Sequence, residues 1–157
     1  VLIQKKRIGS ANELVVMQKF KETTLVHRKG RFAELIKSKE SMDSTELYLT
    51  NYLAANQVKM IKLRPLGLRL IPCGEVNYLL ITKDFDFTDL SVSSPHIILS
   101  NSPKINLDRL IGHFRPKMII ADGSNMRYLI KIWEKTCKAR GVELHITSDR
   151  GAYVHSY

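Results

Sequence analysis

The turn Ala121-Asp122-Gly123-Ser124-Asn125 contains the residue types in this sequence that most suggest chemistry. It follows a predicted buried strand, residues 117–121, and precedes a predicted helix. Because backbone amides at the start of a helix attract anions, the four residues after Ala121 are predicted to form an anion-binding turn that contacts a phosphate. In the structural alternative, which we favour, Asp122 and Ser124 cap the helix and Gly123 permits a tight turn. Asn125 is a second candidate for the cap in place of Ser124.

The helix after this turn is predicted to have one apolar and one basic face, and to end at Gly141. Its core stripe comprises Met126, Leu129, Ile130, Trp133 and Cys137. Its basic stripe comprises Arg127, Lys131, Lys135 and Lys138. Cations at this spacing neutralise successive phosphates without reading sequence, so the stripe is predicted to bind DNA non-specifically. Three tyrosines near it in the sequence are candidates for stacking on bases, with ordinary packing as the alternative: Tyr128, Tyr153 and Tyr157.

Motifs for catalysis, metal binding and nucleotide binding are absent from the sequence. The five histidines are scattered (His27, His96, His113, His145 and His155), and Ser100, Ser102 and Ser124 lack the context of an activated nucleophile. No phosphate-binding glycine loop occurs. Cys73 and Cys137 are too far apart for a zinc or redox motif and are predicted to be buried free thiols. We therefore predict no catalytic residue, no metal site and no cofactor.

Charge and length limit the class of protein further. The chain has 25 Lys and Arg against 15 Asp and Glu, a net charge of +10 and a sequence pI of about 9.7. Such a balance favours an anionic partner, nucleic acid or an acidic bilayer, although a solvated basic surface is the simpler alternative. With 157 residues, 44% of them hydrophobic, residues 1–157 are predicted to form a single domain. No apolar run approaches the roughly 20 residues that span a bilayer.

The first half of the chain is predicted to be rich in strands. Residues 13–20, 23–27 and 32–36 alternate as an antiparallel meander. A capping signature, Asp43 with Glu46, opens an amphipathic helix that ends at Asn56. Strands are expected at residues 59–63, 66–71 and 76–81, the last two joined by a Pro72-Cys73-Gly74 turn, and a loop is expected at residues 83–89.

The second half alternates strands and helices. Residues 96–100 form a strand, and Asn106 caps a helix that buries Leu107, Leu110, Ile111 and Phe114 and stops before Pro116. Strand 117–121 and the helix with the basic stripe follow, and strands 142–147 and 152–157 close the chain as a hairpin. Alternating strands and helices predict an α/β architecture with parallel pairing.

Three motifs in fixed order carry a family resemblance: Arg115-Pro116-Lys117, Gly123-Ser124-Asn125-Met126-Arg127-Tyr128 and Thr147-Ser148-Asp149-Arg150-Gly151-Ala152. With them, residues 94–157 resemble the end of the metallo-β-lactamase-like domain of ComEC-type competence proteins, inner-membrane channels for DNA uptake, and look closest to the Bacteroidetes branch. The resemblance implies an α/β fold of metallo-β-lactamase-like mixed sheets with flanking helices. It also implies that the chain is a fragment of a larger membrane protein, a soluble domain on the periplasmic face.

One departure from the family bears on activity. Where the family has paired metal-binding histidines, this chain has Leu99-Ser100-Asn101-Ser102. The resemblance therefore implies a non-catalytic domain that contacts single-stranded or non-specific DNA, or braces the channel part of its own protein. One alternative is a hydrolase whose metal site is built from other residues, namely Asp122, Asp149, His96 and His145. Another is a purely structural module with its positive charge facing anionic lipid.

Overall fold

The computed structural model describes residues 11–38 and 47–157, which form two five-stranded sheets and four helices. The first sheet contains the predicted antiparallel meander, β1 (Asn12–Val16), β2 (Thr24–Lys29) and β3 (Phe32–Lys37). On one side β4 (Met60–Pro65) pairs parallel to β3. On the other side β10 (Tyr153–Ser156) pairs antiparallel to β1.

The second sheet is mainly parallel. It consists, in order across the sheet, of β5 (Arg69–Cys73), β6 (Val76–Ile81), β7 (His96–Leu99), β8 (Met118–Ala121) and β9 (Glu143–Ile146). Only the β5–β6 pair is antiparallel. The central strands are covered on both faces, and the apolar runs Ile97-Ile98-Leu99 and Ile119-Ile120-Ala121 are fully buried. The predicted α/β architecture with parallel pairing is confirmed.

Four helices flank the sheets: α1 (Leu47–Ala55), α2 (Leu107–Phe114), α3 (Arg127–Arg140) and the short α4 (Thr147–Arg150). The Asn106 side chain accepts a hydrogen bond of 3.0 Å from the Arg109 amide and so caps α2 as predicted. Gly141, at φ 67°, ends α3 as predicted, since a glycine adopts this left-handed conformation without strain.

Three apolar clusters separate four layers. Leu49 and Leu53 of α1 pack on the outer face of the first sheet. The inner faces of the two sheets meet around Leu14, Tyr78 and Ile98, among others. Helices α2 and α3 cover the outer face of the second sheet, with Trp133 buried in that cluster. The order is therefore helix, sheet, sheet, helix, and the helix with the basic stripe lies on an outer layer.

Two connections differ from the prediction. The residues predicted as a turn, Pro72 and Cys73, belong to β5, and the turn is Gly74-Glu75; an edge strand tolerates proline because one side of its backbone needs no partner. The predicted closing hairpin is wrong, because β9 lies in the second sheet and β10 in the first, with α4 between them. Local sequence patterns predicted both strands, but they did not predict that β9 and β10 belong to different sheets.

Two predicted helix starts have different outcomes. The capping signature of Asp43 and Glu46 lies outside the described residues, and α1 is described from Leu47 onward. Met126, predicted as a core residue of α3, is instead its N-cap and is 58% exposed. The rest of the predicted stripe holds, with Leu129, Trp133 and Cys137 buried and Ile130 packed beside them.

Candidate functional site

A buried network of polar side chains lies where β7 and β8 end. Adjacent parallel strands end at the same edge of a sheet, so Ser100 after β7 and Asp122 after β8 are neighbours. Ser100 Oγ donates to Asp122 Oδ2 at 2.7 Å, and the amide of Ser124 donates to Asp122 Oδ1 at 3.0 Å. The Ser124 hydroxyl and the Asn125 side-chain amide also donate to Asp122 Oδ1. Asp122 is therefore the central acceptor of this edge.

The same turn organises the loop after β7. The amide of Asn101 donates to Ser124 Oγ at 2.6 Å, and the amide of Ser102 donates to Asn125 Oδ1 at 2.9 Å. In return, Ser102 Oγ accepts from the Met126 amide at 2.8 Å. The side chains of Ser124 and Asn125 thus bind this loop and do not cap α3, which corrects the predicted capping role. Helix α3 begins at Met126 without a side-chain cap from its own N-cap residue.

The turn also joins the second sheet to the first. The Lys21 amide donates to the Gly123 carbonyl at 2.9 Å, and Thr23 Oγ1 donates to Ser124 Oγ at 3.1 Å. Gly123 is packed so closely that an added Cβ would lie 2.2 Å from the carbonyl oxygen of Lys19. A second link joins Thr147 to Gln18 through a side-chain hydrogen bond. The segment between β1 and β2 is thereby fastened to the carboxyl edge of the parallel strands.

Burial raises the pKa of Asp122 above its ordinary value, while hydrogen bonds from Ser124, Ser100 and Thr23 oppose that rise. The amides of Ser124 and Met126 already donate within the protein, as does the Asn125 amide, which bonds the Asp122 carbonyl at 3.3 Å. The geometry therefore accounts for the turn as a structural junction. Anion binding by Asp122, Gly123, Ser124 and Asn125 stays a prediction.

Sequence reasoning considered Ser100 as a nucleophile without the required context and as a residue that replaces a family histidine, and it missed Thr23 and Gln18. The position of Ser100 carried a usable signal, since a polar residue directly after a predicted parallel strand faces the polar residue that follows the next strand. Thr23 and Gln18 carried none, because their role depends on how the two sheets stack.

The residues suggested for a non-standard metal site lie apart. His96 begins β7, at the opposite end of the parallel strands from Asp122. His145 Nε2 is bonded to the Gly151 carbonyl at 2.9 Å, and Asp149 is exposed on α4. Across residues 11–38 and 47–157, no group of three or more His, Cys, Asp or Glu side chains is arranged to hold a metal ion.

Both cysteines are buried and free, as predicted. Burial raises the pKa of the Cys73 thiol and of the Cys137 thiol to about 11. Since the thiolate is the nucleophilic form, neither thiol is primed for covalent chemistry at neutral pH.

The predicted basic stripe is exposed. Arg127, Lys131, Lys135 and Lys138 all face solvent on α3, while Leu129 and Trp133 face the core. Glu134 is the one acid in this helix. A fifth cation, Arg140, is held by Asp108 through contacts of 2.6 and 2.8 Å. Within residues 11–38 and 47–157, none of the four stripe side chains forms an ion pair of this kind.

The three tyrosines near this helix in sequence separate in space. Tyr128 is 53% exposed on α3, beside the stripe. Tyr153 and Tyr157 instead pack against the cluster between the sheets, where the Tyr153 hydroxyl lies 2.7 Å from that of Tyr78. Only Tyr128 remains placed to stack on a base next to the stripe.

Histidines join those tyrosines between the sheets. His27 Nε2 lies 2.7 Å from the Tyr157 hydroxyl, and the His96 ring packs edge-on against Tyr78 with ring centroids 5.2 Å apart. Burial lowers the pKa of His27, with a contribution from Lys29 and opposition from Glu34. Burial also lowers the pKa of His96, helped by His155 and Lys117 and opposed by Glu143.

These histidines predict a stability that falls in mild acid. Because their folded-state pKa values lie below the unfolded value, the unfolded chain takes up protons first as the pH drops. The free energy of unfolding should then fall below about pH 6.5, by at most about 1.4 kcal/mol per pH unit for each histidine. In urea unfolding between pH 5 and 8, His27→Gln should flatten this dependence while retaining a partner for Tyr157. An unchanged pH dependence in the variant would contradict the assignment.

Together these features define a class, an α/β domain of two mixed sheets whose parallel-strand edge is held by a hydroxyl and carboxylate network. The family model for the ComEC C-terminal domain matches residues 14–157, and the chain belongs to this family. It is thus a domain of a competence protein of DNA uptake, in a family of membrane proteins. No curated protein and no solved structure matches the chain. In the described residues, no helix is long and apolar enough to cross a membrane.

Proposed function

We propose that this domain has a non-catalytic role in DNA uptake and contacts DNA non-specifically through the basic stripe of α3. The exposure of Arg127, Lys131, Lys135 and Lys138 on one helix face is the observation that carries the proposal. From Arg127 to Lys138 the stripe is about 16 Å long, given a rise of about 1.5 Å per residue. Phosphates of one strand follow at about 3.4 Å along the duplex axis, so the stripe matches about five of them.

The chemistry of the stripe favours backbone contact over base reading. Lysine ammonium groups are point charges that neutralise phosphates, whereas sequence is read by side chains that match base edges. Tyr128 lies beside the stripe and offers a ring for stacking, which would favour single-stranded DNA. DNA binding should therefore depend on salt and not on DNA sequence. Stacking on Tyr128 should make the affinity for single-stranded DNA higher than phosphate contacts alone would give.

The four-layer order of helices and sheets supports a metallo-β-lactamase-like fold, in which the metal-binding histidines are replaced by Ser100 and its neighbours. On this proposal the domain spans residues 1–157, takes no metal and lies on the periplasmic face, next to the channel part of its own protein. Membership of the Bacteroidetes branch stays a prediction. Nothing in the described residues favours the alternative hydrolase over this assignment.

The first test measures fluorescence polarisation of labelled single- and double-stranded DNA across a salt series. For duplex DNA the slope of log affinity against log salt is about −0.9 per phosphate neutralised. Replacing all four stripe residues with Gln should therefore flatten the slope by about 3 to 4. An unaltered slope in the variant would remove the stripe as the DNA-contacting surface.

A matched control separates a local surface from net charge. Four exposed lysines lie outside α3: Lys29, Lys59, Lys62 and Lys83. Replacing them with Gln removes the same number of positive charges as the stripe variant does. This control should keep most of the DNA affinity and its salt dependence. Equal losses in both variants would mean that general positive charge, and not α3, attracts DNA.

A nuclease assay tests the non-catalytic part. The domain is incubated with single- and double-stranded DNA in Mg²⁺, Mn²⁺ or Zn²⁺, with and without EDTA. We expect intact DNA in every condition. Cleavage that requires the metal, is abolished by EDTA and copurifies with the folded domain would overturn this part and favour the hydrolase.

A further inference from the structure

The two outermost strands β4 and β5 and their connection form an exposed surface, residues 58–74, called here the β4–β5 edge. Strand β4 is at one edge of the first sheet and β5 at one edge of the second. Five apolar side chains are between 44% and 65% exposed along this edge: Met60, Ile61, Leu63, Leu68 and Leu70. Such a concentration of exposed apolar side chains marks an interaction surface.

Positive charge alternates with these side chains along the sequence, so Lys59 shares a face of the edge strand with Ile61 and Leu63, and Lys62 shares the other face with Met60. Residues 58–74 contain four cations, Lys59, Lys62, Arg64 and Arg69, and no acid. Lys59 and Lys62 are exposed. Arg64 is paired with Glu34 of β3 at 3.1 Å and Arg69 is half-buried, so Lys59 and Lys62 are the cations presented outward.

We propose that the β4–β5 edge docks on a bilayer surface that contains anionic lipid. Apolar side chains enter the region between headgroups and acyl chains, while lysines remain at the headgroups and bind their negative charge. Each lysine near such a surface strengthens binding by about fivefold. The edge combines both features, and the chain belongs to a family of membrane proteins.

The same features fit other partners less well. DNA phosphates would bind the lysines, but the side chains of Met60, Ile61 and Leu63 carry no aromatic ring on which bases stack and would lie against a charged backbone. A second copy paired along β4 would bring the Lys62 side chains of both copies close together, and like charges across an interface are unfavourable.

This surface is distinct from the proposed DNA-contacting stripe. Helix α3 packs on α2 and β9, whereas β5 is at the opposite edge of the second sheet from β9. The domain can therefore rest on a membrane through the β4–β5 edge with α3 still exposed. The inference does not rest on DNA binding, and either proposal can fail alone.

The test is cosedimentation of the whole chain with large vesicles of phosphatidylcholine alone, or with one quarter phosphatidylglycerol. We expect binding only to the anionic vesicles. Ile61→Thr with Leu63→Thr, which places a strand-favouring β-branched residue at both positions, should lower the partition coefficient at least about tenfold. Lys59→Gln with Lys62→Gln should lower it by a similar factor and remove most of its salt dependence.

Two controls keep the outcome interpretable. Val154→Thr makes the same kind of change at a 53% exposed residue on β10, the opposite edge of the first sheet, and should bind like the native chain. Thermal unfolding must show that all variants are folded. No binding to anionic vesicles in low salt, or binding that survives the β4 substitutions, would overturn the proposal. Concentration-dependent dimers lost in Ile61→Thr with Leu63→Thr would assign the edge to a second copy instead.

Discussion

Gly123→Ala is expected to destabilise the domain by about 3 kcal/mol or more, because the added methyl group overlaps backbone that cannot easily move. Its Cβ would lie 2.2 Å from the carbonyl oxygen and 2.9 Å from the carbonyl carbon of Lys19. To relieve this overlap, the turn after β8 must move away from the segment after β1. That movement breaks the 2.9 Å hydrogen bond from the Lys21 amide to the Gly123 carbonyl.

A second glycine provides the control for this prediction. Gly112 lies inside α2, and an added Cβ there would meet no atom within 4 Å. Gly112→Ala should therefore stabilise the domain by up to about 1 kcal/mol through helix propensity. Urea unfolding of both variants measures the contrast. A Gly123→Ala domain as stable as the native one would mean that the two sheets are not fastened together at this turn.

Asp122→Ala is expected to cost about 3 kcal/mol, because it leaves several buried donors without an acceptor. The donors are the Ser100 hydroxyl and the Ser124 amide and hydroxyl, whereas the Asn125 side-chain amide keeps the backbone carbonyls of Leu99 and Asp122 as acceptors. Asp122→Asn keeps the volume and one accepting oxygen, so it should cost less than the alanine variant. Equal stability of the native chain and Asp122→Ala would show that the network contributes little.

The aspartate also predicts a pH dependence of the opposite sign to that of the histidines. Burial raises the folded-state pKa of Asp122 above its unfolded value. Its contribution to stability is therefore present below about pH 4 and is lost as the pH rises through the folded-state pKa. Asp122→Asn removes this titration, so the difference in stability between the native chain and this variant should be smaller at neutral pH than at acid pH. A difference that does not change with pH would contradict a raised pKa.

The turn after β8 shows how the predicted site differs from the observed one. Sequence reasoning placed Asp122, Gly123 and Ser124 in a turn between a strand and a helix, which is correct. It assigned Ser124 or Asn125 to the helix cap, whereas both side chains bind the loop after β7. Local sequence patterns favour partners that are close in the chain. The loop residues that Ser124 and Asn125 bind, Asn101 and Ser102, lie more than 20 positions away. Only the pairing of β7 with β8 brings them together.

Sequence alone determined most of the secondary structure, because burial imposes a period of two on strands and a period near 3.6 on helices. It indicated the meander, the Asn106 cap, the Gly141 stop and the basic stripe of α3, and the order of its motifs indicated the family. Only the tertiary structure decided which sheet each strand joins, with β9 and β10 in different sheets, and that Tyr153 and Tyr157 pack inward. It alone exposed the β4–β5 edge, since a strand at a sheet edge and one at its centre can have the same pattern. Pairing and stacking depend on contacts between distant segments, which no local period records.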